Sequence, residues 1–321
     1  MSVKTEQEEE AQAITNTNEV NHVAETSDFL GPQQSDYQGR TYMHIPRDQP
    51  TDLSHDPDIK NFVPKKYIHT WQCGPSKAIT SLKLFPNSGH LLLSASADSK
   101  ILLWDVYRQK ELLRAYRGHT NGITDLDFSS EGTAFLSASH DGSIKHWDVE
   151  TGLYTARFGN PDLKNTPYVV RHKPNSSHEF LAGVGSSILQ FDTRTPKSPV
   201  LEYEYHTKAV NTLCFYGSNN EQFASTSDDG SIRLWEYGTP VPDKLIASPD
   251  MFAITRSAVH RSGKYICYQC SDNKIEAYST SERKFRPKKS FRGHQTVGYA
   301  VDVVCSPGGR IVAGGDSRGF L

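Results

Sequence analysis

The stretch SDDGSIRLWE, residues 227–236, sets Ser227, Asp228 and Asp229 side by side, with His206 upstream; His119, Ser139 and Asp141 repeat the same residue types earlier in the chain. Serine, histidine and aspartate are the parts of a nucleophilic triad: the carboxylate orients the imidazole, and the imidazole takes the hydroxyl proton. A second candidate is GDSRG, residues 315–319, which fits the G-x-S-x-G nucleophile elbow. That motif needs an acid and a histidine later in the chain, and only two residues follow it. Cys267 and Cys270 form C-x-x-C, a zinc or redox pattern, but no second ligand pair stands at metal spacing. On a strand, residues three apart face opposite ways, so these thiols read as buried and structural. GVGSS, residues 183–187, is too short for a phosphate-binding loop and reads as a tight turn. The 13 histidines are scattered, and neither a metal site nor a cofactor is expected.

Bulk properties set outer bounds. The net charge of −2 conceals an acidic start, because residues 1–36 carry eight acids and one base. That tail, polar and poor in aromatics, is expected to be disordered. The remainder is mildly basic, which permits acidic partners without marking a dedicated nucleic-acid domain. Five cysteines, an odd number, argue against a disulfide framework and for a reducing compartment. No apolar run is long enough to cross a membrane, and the acidic start is unlike a signal peptide. A soluble intracellular protein is expected.

The elements that must position these side chains come from a repeat. DSKILLW, DGSIKHW, GSSILQF, DGSIRLW and DNKIEAY are one block written five times, closing on Trp104, Trp147, Phe191, Trp235 and Tyr278 at intervals of 43, 44, 44 and 43 residues. Between the blocks, apolar residues alternate or run briefly between Gly, Asn, Asp and Ser, the pattern of short strands. A sheet that small cannot hide both faces alone, so the units must stack, and a radial ring of four-stranded blades is the usual solution at this period. The fold class expected is therefore all-β, a β-propeller.

The blocks resemble the WD-repeat β-propeller family, with Gly118-His119 and Gly293-His294 as its GH and Trp104-Asp105 and Trp147-Asp148 as its WD. The resemblance implies two buried hydrogen-bonded tetrads: His119, Ser139, Asp141 and Trp147, and His206, Ser227, Asp229 and Trp235. Asp229 is then a strut rather than an acid, and no catalytic residue is expected. Gly185, which replaces the turn aspartate of the third unit, and Cys73-Gly74, which replaces Gly-His in the first, should latch their blades less firmly.

Two further segments stand out. RKFRPKKSFR, residues 283–292, carries six bases with Phe285 and Phe291 between them and should form an outer strand. Arg283, Arg286, Lys288 and Lys289 are its candidate contacts to phosphate or acidic protein. DYQGRTYMHIPRD (36–48) and PKKYIHTW (64–71) are too aromatic for a linker and too broken by Gly and Pro for a helix. Residues 37–66 read as an extended arm that folds on a partner, with Tyr37, Tyr42 and Ile45 as anchors, and residues 67–321 read as the propeller. YIHTW, residues 67–71, is the candidate strand to complete the last blade.

These segments, with LFPNSGHLLLSASADSKILLWDVY and STSDDGSIRLWE, resemble the pre-mRNA-processing factor seventeen, or cell-division-cycle forty, family. The resemblance implies a nuclear, non-catalytic scaffold that supports exon ligation. Its partners would be spliceosomal proteins, with snRNA or pre-mRNA backbone as a further contact, and the chain would be a monomer within a ribonucleoprotein complex. It also implies seven blades and a longer N-terminal region, whereas five complete repeats and most of a sixth are visible here, so a truncated product is expected. A WD-repeat adaptor of another nuclear complex, such as a ubiquitin-ligase substrate receptor, is the alternative.

Overall fold

A computed structural model describes residues 24–35, 38–46, 62–72, 77–159, 165–217 and 219–319. The described residues form strands joined by turns, arranged as a β-propeller. The first blade holds β2 (Ile79–Leu84), β3 (Leu91–Ser96), β4 (Ile101–Asp105) and β5 (Leu112–Arg117), with β1 (Thr26–Phe29) added outside β5. The second holds β6 (Ile123–Phe128), β7 (Ala134–Ser139), β8 (Ile144–Asp148) and β9 (Tyr154–Phe158); the third holds β10 (Pro167–His172), β11 (Glu179–Val184), β12 (Ser187–Asp192) and β13 (Leu201–Tyr203). The fourth holds β14 (Val210–Tyr216), β15 (Gln222–Ser227), β16 (Ile232–Glu236) and β17 (Pro242–Ile246); the fifth holds β18 (Ile254–Val259), β19 (Tyr265–Cys270), β20 (Lys274–Ser279) and β21 (Lys284–Arg292). A sixth sheet pairs β22 (Val303–Cys305) with β23 (Val312–Gly314). The innermost strands β2, β6, β10, β14, β18 and β22 pack on one another in chain order.

The repeat visible in the sequence is also a repeat of register. In all five complete blades the pairing of the inner strand slips near its start, at Ile79/Ser81, Ile123/Asp125, Pro167/Val169, Val210/Thr212 and Ile254/Arg256. A bulge there sharpens the local twist where strands crowd toward an axis. Each closing aromatic, on the third strand of its blade, faces a large apolar partner on the second. Phe135 stacks on Trp147, Phe180 on Phe191 and Phe223 on Trp235, with interplanar angles of 12°, 22° and 9°. Gly185 has φ +58 in the two-residue turn between β11 and β12, which is the tight turn expected where the aspartate is missing.

A buried charge cluster ties the first three blades together. The Arg171 guanidinium, on β10, donates to the Asp125 carboxylate on β6, whose side chain is 2% exposed. Ser81 on β2 donates to the other Asp125 oxygen at 3.0 Å, and Lys83 lies 3.7 Å from Asp127. Burial pushes the Asp125 carboxyl up, but the Arg171, Lys83 and Arg256 charges outweigh it and hold it below the usual carboxylate range.

The arm departs from expectation. Thr26–Phe29, inside the acidic segment expected to be disordered, is a strand paired antiparallel with β5 from Thr26↔Arg117 to Phe29↔Arg114. Tyr42, expected to anchor a partner, is instead 8% exposed and packed into this protein's own core. Its hydroxyl donates to the Val149 carbonyl at 2.5 Å and accepts from Arg114 Nε at 3.2 Å, while its ring stacks on Phe29. Arg114 also reaches Ser27 Oγ and the Glu150 and Thr151 carbonyls. Of the aromatic residues that suggested a partner, Tyr42 is satisfied within the chain, at the seam of the first two blades. Ile45 is half-buried, and Tyr37 lies outside the described residues. Residues 67–71 form no strand, and Tyr67 and Ile68 are 83% and 86% exposed, so this segment does not complete the sixth sheet, which holds β22 and β23 alone among the described residues.

Candidate partner-binding surfaces

The triad-like residues come together, but inside the blades. In the second blade Trp147 Nε1 donates to Ser137 Oγ at 3.0 Å, and Ser137 Oγ lies 2.8 Å from His119 Nε2. His119 Nδ1 lies 2.8 Å from Asp141 Oδ2. The fourth blade repeats the chain through Trp235, Ser225, His206 and Asp229 at 2.8, 2.8 and 2.9 Å. The joining serines are thus Ser137 and Ser225, two residues before the expected Ser139 and Ser227. Those two serines donate instead to loop carbonyls, Ser139 to Asn121 and Gly122 and Ser227 to Lys208, and each accepts the N–H of its turn aspartate.

The electrostatics are those of a strut. Burial holds both imidazoles below their ordinary value against the pull of the aspartates, so they are neutral. A neutral ring that donates from Nδ1 to carboxylate accepts at Nε2 from serine, and the serine oxygen accepts from the indole, so every polar atom is used. Burial raises Asp229, but the hydrogen bonds from Ser231 and His206 together hold it at about 2. Ser137 and Ser225 are 0% exposed, so no substrate carbonyl can approach either hydroxyl. GDSRG closes on itself: Ser317 Oγ is 3.4 Å from Asp316 Oδ1, the Arg318 N–H donates to the same carboxylate, and His294 pairs with Gln269 rather than Asp316. Cys267 and Cys270 face different clusters, as strand alternation requires. Among the described residues, no group of three or more His, Cys, Asp or Glu is placed to hold a metal ion.

Two other histidines, absent from the sequence reading, stand out by their surroundings. His172 is 5% exposed, and neither ring nitrogen has a hydrogen-bond partner among the described residues. His146 lies against it with ring centroids 6.4 Å apart. Burial pushes both down to about 4, and for His146 the neighbouring His172 adds to the effect. The unfolded chain therefore binds protons that the folded one refuses, so stability is full above about pH 6.5 and falls as pH drops toward 4. His172→Phe should remove roughly 3 kcal/mol of this acid loss. Melting at pH 7 and pH 4.5 tests it, and an unchanged acid slope would show that another group is responsible.

The rim carries the remaining candidates. Residues 284–292 form the outer strand β21, as the sequence indicated. Arg283 pairs with Asp243 at 2.8 Å, Arg286 pairs with Glu282, and Lys289 Nζ stands 3.9 Å above the Tyr265 ring. Lys288 is exposed. Exposed ion pairs of this kind contribute about 0–1 kcal/mol, so they do little to fix these bases in place. At the axis, a funnel of about 500 Å³ opens between the inner strands, lined by His140, Tyr168, Asn211, Asp228, Arg256 and Tyr299 among others.

Comparison with known proteins agrees with this architecture. The WD domain, G-beta repeat family matches residues 65–105, 110–148 and 197–236. Human Pre-mRNA-processing factor 17 is 42% identical over 291 residues, covering 89% of this chain and 49% of its own length. The Saccharomyces cerevisiae protein of the same name is 36% identical over 304 residues, covering 93% of this chain and 66% of its own. Mouse WD repeat-containing protein 25 is more distant, at 26% over 267 residues, covering 80% and 49%. The chain spans about half the length of the human relative. Identity at that level, carried through the blades and the segment before them, places this chain in the Pre-mRNA-processing factor 17 family of WD-repeat proteins.

Proposed function

We propose that this chain is a non-catalytic scaffold of pre-mRNA splicing that supports exon ligation from within the nucleus. The observation that carries the reading is its 42% identity to a protein named for pre-mRNA processing. The burial of both serine–histidine–aspartate arrays supports a scaffold, because it leaves the rim and the axial funnel as the surfaces free to act. Spliceosomal proteins are the primary partners, and the β21 bases offer an RNA backbone a secondary contact.

Depletion from a splicing extract tests the step assigned. Lariat intermediate and free first exon should accumulate and be cleared on adding the chain back; a block before the first cleavage would overturn the assignment. Cullin components co-purifying in place of spliceosomal small nuclear RNAs would favour the adaptor alternative. Lys288→Glu with Lys289→Glu should weaken complex association several-fold at about 0.1 M salt, with the difference shrinking as salt rises. Equal retention of both proteins at every salt concentration would make β21 a solvated edge only.

A further inference from the structure

Cys267 and Cys305 come together from different sheets. Cys267 is 3% exposed on β19, the strand next to the innermost in the fifth blade; Cys305 is half-buried at the end of β22. Their sulfurs are 3.8 Å apart, and both sit in one small apolar cluster with Ile275, Ala277 and Val303. The other described thiols have different surroundings. Burial pushes Cys214 and Cys270 up to about 11 and about 12, which keeps them protonated and unreactive. At Cys267 the Cys305 S–H and the Lys289 charge both favour the thiolate, outweighing burial.

We propose that Cys267 and Cys305 form a reversible disulfide that clasps the sixth sheet to the fifth blade, with hydrogen peroxide as the oxidant class. The Cys267 thiolate attacks one peroxide oxygen and the O–O bond breaks. The departing hydroxide takes up a proton as water, leaving a sulfenic acid. The Cys305 sulfur then attacks the sulfenic sulfur, the S–O bond breaks, a second water leaves and the S–S bond forms. Two electrons pass from the two thiols to one peroxide, and a small-molecule thiol reverses the step by exchange. The sulfurs must close by roughly 1.8 Å, within reach of side-chain rotation at the half-exposed Cys305. The tie would span 38 residues and, among the described residues, would be the one covalent cross-link that adds to the backbone in holding β22 and β23 to the fifth blade.

The test uses the full chain. After peroxide treatment, denaturation and maleimide labelling, three of the five cysteines should label, and peptide mapping should join Cys267 to Cys305. Five labelled cysteines, or a bond between other cysteines, would overturn the proposal. In Cys305→Ser the bond should be absent and a sulfenic acid trappable at Cys267. Amide exchange in β22 should slow about tenfold on oxidation of the unmodified sequence and recover on reduction. Unchanged exchange would show that the bond, though formed, is no clasp.

Discussion

Arg171→Met is expected to lower stability by about 3–5 kcal/mol, the typical loss when one member of a buried ion pair is removed. The loss arises at Asp125 rather than at residue 171. With its guanidinium gone, a carboxylate 2% exposed must either stay charged in an apolar setting or take up a proton. Ser81 and the Val170 N–H remain as dipoles, and the Lys83 and Arg256 charges act on Asp125 without the hydrogen bond that Arg171 makes. Because these groups come from β2, β6 and β10, the damage should reach three blades. Domains of this size hold only about 5–15 kcal/mol in all. Urea unfolding would show the midpoint fall, and Arg171→Met with Asp125→Leu should recover most of it, since the stranded charge is then gone. A single variant losing under about 1 kcal/mol would mean that water reaches Asp125 and that the cluster is no core element.

Ser137→Ala is expected to be the next most damaging, at about 2–4 kcal/mol, because it strands two buried groups at once: the Trp147 N–H and the His119 Nε2 lone pair. Ser139→Ala should lose about 1 kcal/mol, since the Gly122 carbonyl it serves also accepts from the His140 N–H. The pair of variants separates the two serines cleanly, and thermal melts in one buffer suffice. Equal losses would return the joining role to Ser139. The same comparison at Ser225 and Ser227 repeats the test in the fourth blade.

That ambiguity shows how far a sequence of this kind can be read. Ser137 and Ser139 are two apart on a strand and so share a face. Both sit among small apolar residues, and both are satisfied by hydrogen bonds. What separates them is the cross-strand partner, Lys145 for Ser137, which sets that hydroxyl against the indole two residues on, and this is a matter of three-dimensional register. The blades themselves were legible because one block occurs five times at intervals of 43 or 44 residues and each strand carries its own alternation. The arm was half legible. Tyr42 was expected to anchor a partner and packs into its own chain, because composition cannot distinguish an aromatic segment that docks on a partner from one that docks on its own chain. β1 gave almost no signal, since four residues with one large apolar side chain, Phe29, carry no periodicity. His172 was invisible because nothing local marks a histidine that packing deprives of partners.

Trp104, Trp147 and Trp235 stand in the first, second and fourth blades, at 4%, 1% and 1% exposure, each with its indole N–H bonded to a serine. A sealed indole emits at short wavelength and shifts to the red once water reaches it, so each of these is a fluorescent reporter of its own blade. Phe191 shows that phenylalanine is accepted at the equivalent place in the third blade, so variants that keep one native tryptophan at a time are feasible. Coincident transitions would reveal a ring that melts as a single cooperative body, and staggered ones would give the order in which its sheets come undone.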